Sequence, residues 1–169
     1  MQVIQDGRVH RLHERQWVKI GGVIVLLILV GVIITFFLSG RPMRQAKNQS
    51  IATAENKRGL TQVNDFYSSD LNHVFYTVEG ISHHRLTYII MNKRYQPLRS
   101  VRANKGINQS YVVNQVKLHD NPRKIINAAP TIFNGYVAWI VSYEGHNGKL
   151  NYQTFKYRNG RSIQSIKNL

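Results

Sequence analysis

The 169-residue sequence contains no cysteine, and its eight acidic residues stand against 23 Lys and Arg. Without cysteine, a disulfide framework, a thiolate metal site and a cysteine nucleophile are all excluded, so the hydrophobic core alone must hold the fold. The shortage of acids leaves a formal net charge of +15, and residues 39–169 carry nineteen of the basic residues but only six of the acids.

A domain with this charge is expected to bind an anionic partner. On the outer face of a membrane, anionic lipid head groups or phosphate-rich wall polymers would qualify, whereas on the inner face nucleic acid would. The alternative is that the high isoelectric point only keeps a small domain soluble.

Motifs that carry chemistry are also missing. His83 and His84 form the only adjacent histidine pair, in a predicted hairpin turn without the HxxxH spacing of metal ligands. No serine has a GxSxG or SxxK context, and no glycine-rich run could cradle a phosphate. Glu79 and Glu144 each precede a glycine at a predicted strand end, which favours turn residues paired with a basic side chain over a catalytic dyad. We therefore expect no enzyme, no cofactor, and no catalytic, cofactor-binding or metal-ligating residue.

The one long apolar run, from Ile20 to Leu38, contains nineteen residues and no charge. As a helix it would be roughly 28 Å long, close to the roughly 30 Å thickness of the bilayer hydrocarbon. Trp17 and Lys19 lie at one end, and Arg41 and Pro42 follow the other. The run exceeds the roughly 7–15 apolar residues of a cleaved signal peptide. It predicts an uncleaved, single-pass signal anchor that contacts membrane lipid from Ile20 to Leu38.

The orientation of this anchor does not follow from counting Lys and Arg, because both flanks are basic. The short tail and the rule that long domains cross the membrane largely regardless of charge favour a cytoplasmic amino terminus. We predict a cytoplasmic tail over 1–19, a transmembrane helix over 20–38, and an extracytoplasmic part. That part divides into a juxtamembrane helix with a first α+β subdomain over 39–104, and a second α+β subdomain over 105–169.

Helical and extended segments alternate in the extracytoplasmic part. A segment that is rich in helix-forming residues and contains no proline predicts a helix from Met43 to about Asn64. The segment Asn108–Asp120 suits a strand by its valines, but Asn108 can cap a helix and Asn121-Pro122 can stop one, so we predict a helix there. Runs of β-branched and aromatic residues between turn residues predict strands at 73–79, 85–91, 97–102, 124–129, 136–143, 149–157 and 162–167.

A weak internal repeat links the two halves. The blocks Val78–Gly80, Leu86–Tyr88 and Leu98–Val101 recur in the same order as 143–145, 150–152 and 163–166, at a spacing of 64 or 65 residues. Chance similarity between hairpins could produce part of this match, but three blocks in order favour duplication. Duplication predicts an α+β fold of two tandem units, each with a helix that buries the apolar face of a curled antiparallel sheet.

Aromatic and basic residues interleave between Tyr152 and Arg158. Such a run could stack the bases of a single nucleic-acid strand, but aromatic residues that alternate in a strand more often form core. Nucleic acid is accordingly the least favoured of the expected partners.

The layout resembles the YpmB-like, or TseB-like, small membrane proteins of Gram-positive bacteria. The residues that carry the resemblance are Tyr76–Gly80, Trp139–Tyr143, Leu150–Tyr152 and Ile163–Ile166, behind the tail, the span and the helix. The resemblance implies cystatin-like, PepSY-type α+β units. It also implies a non-enzymatic role in cell-wall elongation, through a penicillin-binding protein in the same membrane. Two further hypotheses are a cystatin-like modulator of a membrane peptidase and an inward-facing nucleic-acid binder.

Overall fold

The computed structural model describes residues 22–33, 41–71 and 73–169. Residues 22–33 form helix α1, and the rest of the predicted span Ile20–Leu38, like the predicted tail, lies outside the described residues. Within the described ranges, no helix combines the length and the apolarity needed to cross a membrane. The chain divides into two compact units, Met1–Arg44 and Gln45–Leu169, and the description below concerns the second.

Two antiparallel four-stranded sheets and two helices make up this part of the chain, which confirms the predicted α+β class. The strand order is β1-β2-β3-β4 in the first sheet and β5-β6-β7-β8 in the second. The elements are α2 (Arg41–Arg58), β1 (Leu60–Ser69), β2 (Phe75–Ser82), β3 (Arg85–Asn92), β4 (Pro97–Arg102), a 3-10 turn (Ala103–Lys105), α3 (Gln109–Asp120), β5 (Lys124–Phe133), β6 (Tyr136–Glu144), β7 (Leu150–Lys156) and β8 (Ser162–Ile166).

Helix α2 ends at Arg58, so the prediction of a helix to Asn64 was wrong by two turns. Gly59 adopts a positive φ of 62° and its N–H donates to the Glu55 carbonyl at 3.2 Å, which closes the helix in the left-handed conformation that glycine tolerates best. The residues beyond it form β1, which the sequence interpretation missed. The first sheet therefore has four strands instead of three.

Helix α3 confirms the choice of helix over strand for Asn108–Asp120. The Asn108 side chain accepts a hydrogen bond from the Tyr111 N–H at 2.9 Å, as an N-cap should, and Asn121 ends the helix at a positive φ of 41°. Val112 and Val116, one turn apart, are both fully buried.

The predicted strands of both sheets are present, with ends that differ by a few residues. The largest difference is in β5, which continues through Pro130 to Phe133 although the prediction stopped at Ala129. Proline lacks the N–H of a sheet ladder, but β5 is an edge strand of its sheet, where one missing donor is tolerated.

Each helix packs against its own sheet, as the repeat predicted. Ala54 of α2 belongs to a buried cluster with residues of the first sheet: Leu60, Val78, Ile89 and Met91. Val112 and Val116 of α3 lie in a larger cluster with Trp139 and Val141 of the second sheet.

The two sheets also share core and hydrogen bonds. Tyr67 and Tyr88 of the first sheet pack edge-on against Trp139 of the second, with ring centroids 6.2 and 5.7 Å apart. The Thr77 hydroxyl donates to the Pro130 carbonyl at 2.8 Å in a fully buried contact. The sheets therefore bury their facing surfaces against each other, and the subdomain boundary after residue 104 stays a prediction.

The pairing of the last two strands repeats between the sheets. Tyr88 pairs with Val101 in the first sheet, and Tyr152 pairs with Ile166 in the second, which are the positions that the sequence repeat matches. The preceding hairpin differs, because two residues separate β2 from β3 whereas five separate β6 from β7. The two units thus share one architecture. Their hairpin loops differ in length, and the strand pairing beside these loops differs accordingly.

Candidate functional site

The two histidines of the adjacent pair lie where the sequence placed them, in a turn. His83 and His84 form the two-residue connection between β2 and β3, are exposed, and have positive φ values of 51° and 59°. Positive φ at both positions is the geometry of a type I′ hairpin turn. No group of three or more His, Asp or Glu that could hold a metal ion occurs in the described part of the chain.

The two glutamates of the repeat have different environments. Glu144, the last residue of β6, forms an ion pair with Arg123 at 2.7 Å, as predicted for a strand end. Glu79 lies inside β2, not at its end, and its carboxylate accepts a hydrogen bond from the Tyr67 hydroxyl at 2.8 Å. Burial and this carboxylate raise the pKa of Tyr67, so the phenol stays protonated.

The interleaved aromatic segment from Tyr152 to Arg158 contributes to the core. Phe155 and Tyr157 are buried in the cluster around Trp139, and Tyr152 packs against it from the side. Burial raises the pKa of Tyr157 to about 12, and its hydroxyl donates to the Arg102 carbonyl at 2.7 Å. The buried rings of Phe155 and Tyr157 have no open face on which a base could stack.

An open cleft of about 500 Å³ lies on the helix-facing side of the first sheet, at the end where α2 stops. We call it the arginine cleft. Its lining contains no carboxylate and consists of Arg58, Ser82, His83, Arg85, Thr87, Ser100 and Arg102.

The register of the sheet brings the lining residues together. Arg85 pairs with Ser82 across β2 and β3, and Arg102 pairs with Thr87 across β3 and β4. Because Arg85 and Thr87 lie two residues apart on one strand, they share a face, and Arg102 is a diagonal neighbour of Arg85. Diagonal neighbours are about 7–8 Å apart at the backbone, a separation that two arginine side chains can span. Arg58 reaches the same space from the end of α2.

Two of the three hydroxyl groups that line the cleft donate hydrogen bonds within the protein. Ser82 donates to the Arg58 carbonyl at 3.2 Å, and Thr87 donates to the Arg85 carbonyl at 3.0 Å. The Ser82 hydroxyl also lies 3.0 Å from His83 Nδ1, in a contact whose donor depends on the histidine tautomer.

The guanidinium donors, in contrast, are mostly unused. Arg58 donates to the Pro97 carbonyl at 3.4 Å, whereas the side chains of Arg85 and Arg102 have no hydrogen-bond or ion-pair partner among the described residues. Each guanidinium presents up to five N–H donors in a planar fork that matches oxyanions. The cleft therefore offers cationic donors to a ligand from solvent.

Strand β4 borders the arginine cleft and forms an outer edge of the first sheet. No other strand in residues 41–71 and 73–169 pairs with its open side. Leu98, Arg99 and Ser100 are exposed along it. An open strand edge can accept an extended segment of a partner through main-chain hydrogen bonds.

The sequence predicts a basic surface, but it does not indicate that these residues form one site. Arg58, Arg85 and Arg102 are far apart in the chain, and only the strand pairing makes them neighbours. One signal was present: at the repeat spacing, Arg85 corresponds to Lys149 and Arg102 to Lys167, so both positions are basic in both halves.

No protein-family model matches this chain, and no curated protein does either. Among solved structures, the chain is similar to the YpmB protein from Bacillus subtilis, with a TM-score of 0.59 and 18% sequence identity. The alignment covers 71% of this chain and 95% of that one. At this identity the likeness shows a shared YpmB-like α+β fold and nothing further.

Proposed function

We propose that this YpmB-like chain is a non-enzymatic, membrane-anchored interaction module that regulates cell-wall elongation through a penicillin-binding protein partner. The likeness in fold supports the resemblance on which this role is based. The apolar run from Ile20 to Leu38 supports a single-pass anchor with the amino terminus in the cytoplasm and residues 39–169 outside.

The observation that carries the proposal is the open edge of β4 beside the arginine cleft. A partner strand that adds to this edge gains main-chain hydrogen bonds, and acidic side chains on it would meet Arg99 or Arg102. Anchoring both proteins in one membrane raises their effective concentration, so that an interface of one added strand suffices.

The partner claim is tested by crosslinking intact cells and purifying the chain from their membranes. We expect a penicillin-binding protein to be enriched over the level found with an unrelated single-span protein. Leu98→Glu on β4 should abolish the enrichment. Leu118→Glu, which introduces the same charge at the exposed face of α3, should leave it unchanged. No enrichment, or equal loss with both variants, contradicts the proposal.

The alternative is a modulator of a membrane peptidase, because a peptidase can bind the same open edge as a pseudo-substrate strand. Cells that lack the protein distinguish the two functions. Altered cell width or length with unchanged protein turnover supports the wall role, whereas slowed or accelerated proteolysis with normal shape supports the peptidase role.

The location is tested with a tag placed after Leu169 and protease added to intact protoplasts. Loss of the tag supports an extracytoplasmic domain. Protection until lysis would overturn this placement and would favour an inward-facing nucleic-acid binder, with salt-dependent binding to DNA or RNA as its signature.

A further inference from the structure

We infer that the arginine cleft binds the phosphodiester groups of an anionic polymer, with Arg85 and Arg102 as the principal ligands of one phosphate and Arg58 at its rim. The site itself depends only on the folded domain. The choice of an extracytoplasmic polymer rests on the location given in the proposed function.

No carboxylate among the described residues neutralises the charge of the cleft. The two ion pairs between described residues lie elsewhere, at Arg123–Glu144 and Lys167–Asp120. The carboxyl end of α2 favours a cation at Arg58, whereas Arg85 and Arg102 come from the sheet. Solvent or a bound anion offsets the repulsion between these two side chains.

In the second half of the chain, the basic residue at the corresponding position is neutralised by an acid. Lys167 corresponds to Arg102 by the repeat spacing, and it forms a 2.7 Å ion pair with Asp120, the last residue of α3. The last residue of α2 is Arg58 instead. Where the helix ends beside the fourth strand, the second unit therefore pairs Lys167 with Asp120. The first unit has two cations there, Arg58 and Arg102.

The arrangement fits a phosphodiester inside a polymer chain. Guanidinium groups bind carboxylate and phosphate oxygens alike through paired N–H donors, but a phosphodiester is bonded to the chain on two sides, so two arginines can approach its two free oxygens while the chain continues in both directions. The cleft is open and several times larger than one phosphate group, so the flanking units of a polymer can extend out of it along β4.

The test uses the full chain in a neutral detergent and titrates poly(glycerol phosphate) by calorimetry. We compare Arg85→Gln/Arg102→Gln with Lys93→Gln/Arg94→Gln, a control pair in the exposed β3–β4 turn that removes the same charge. Because hydrogen bonds to charged groups contribute more than exposed long-range charge, the cleft pair should weaken binding roughly tenfold or more. The control pair should weaken it less than about threefold.

A charge-conserving variant distinguishes a specific binding site from nonspecific attraction by the net positive charge. Arg102→Lys keeps the net charge but loses the planar fork, so we expect a measurable loss of affinity for the polymer. Unchanged thermal unfolding of each variant shows that the fold is intact, as expected for exposed side chains without partners.

Several results would overturn the inference: no polymer binding by the unmodified chain, equal loss with the cleft and control pairs, or full affinity in Arg102→Lys. Single-stranded RNA of equal phosphate number that binds as tightly would favour nucleic acid over the polymer. Phosphatidylglycerol vesicles that bind as tightly per phosphate as the polymer does would assign the cleft to lipid head groups. None of these outcomes depends on capturing a penicillin-binding protein, so each failure is separable from that of the proposed function.

Discussion

Removing one oxygen atom tests how the second sheet holds the end of β4. In Tyr157→Phe the ring stays in its buried position, but the hydroxyl that donates to the Arg102 carbonyl at 2.7 Å is lost. An intramolecular hydrogen bond contributes about 1 kcal/mol net, and a partly buried carbonyl left with one fewer partner adds to the loss. Since only the phenol oxygen changes, no cavity of side-chain size forms. We expect the free energy of unfolding to fall by about 1–2 kcal/mol.

The assay is urea denaturation followed by far-ultraviolet circular dichroism, in parallel with Tyr136→Phe. Tyr136 is 60% exposed and loses the same oxygen without a buried partner, so its variant should lie within about 0.5 kcal/mol of the parent. If Tyr157→Phe is no less stable than Tyr136→Phe, the hydrogen bond to Arg102 does not anchor the end of β4, and this reasoning is refuted.

Three further predictions concern the same core. Gly106→Ala should lower the free energy of unfolding by about 1–3 kcal/mol in urea melts, because the new Cβ would overlap the ring and carbonyl of Tyr157. Thr77→Val should cost about 1–3 kcal/mol in the same assay, since the Pro130 carbonyl loses its hydroxyl donor, and a null effect would show that this contact between the sheets is dispensable. Burial raises the pKa of both Tyr143 and Tyr157 to about 12 from 10.0, so the folded state retains protons that the unfolded state releases, and stability should fall as pH rises from 10 to 12. The fall should reach about 1.4 kcal/mol per pH unit for each tyrosine, and the part of the phenolate absorbance that comes from the buried tyrosines should appear only together with unfolding.

The sequence predicted most of the strands correctly, and its main error has a physical cause. In β1, register shifts between Leu60 and Gln62 and between Val63 and Asp65 break the alternation that normally marks a strand. The apolar side chains Leu60, Val63 and Phe66 then recur every three residues, a spacing that imitates a helical face. Gly59 is the local signal of the helix end.

Contacts between the sheets could not be predicted, because they join residues far apart in the chain. Nothing in the sequence indicates that the Thr77 hydroxyl would meet the Pro130 carbonyl, or that Tyr88 would pack against Trp139. The repeat predicts two similar units but is silent on which faces they turn toward each other. The arginine cleft could not be predicted for the same reason, because its three arginines come from one helix end and two strands.

The two units differ in charge where the helix end meets the fourth strand. In the second unit the Asp120 carboxylate lies at a helix end that favours cations, and Lys167 neutralises it at 2.7 Å. The first unit has Arg58 and Arg102 instead and leaves their donors open to solvent. Such an arrangement lacks the ion pair of the second unit, although the helix end favours Arg58, and it presents a surface that an oxyanion can complete. This difference between the two units is the reason to place the proposed binding site in the first of them.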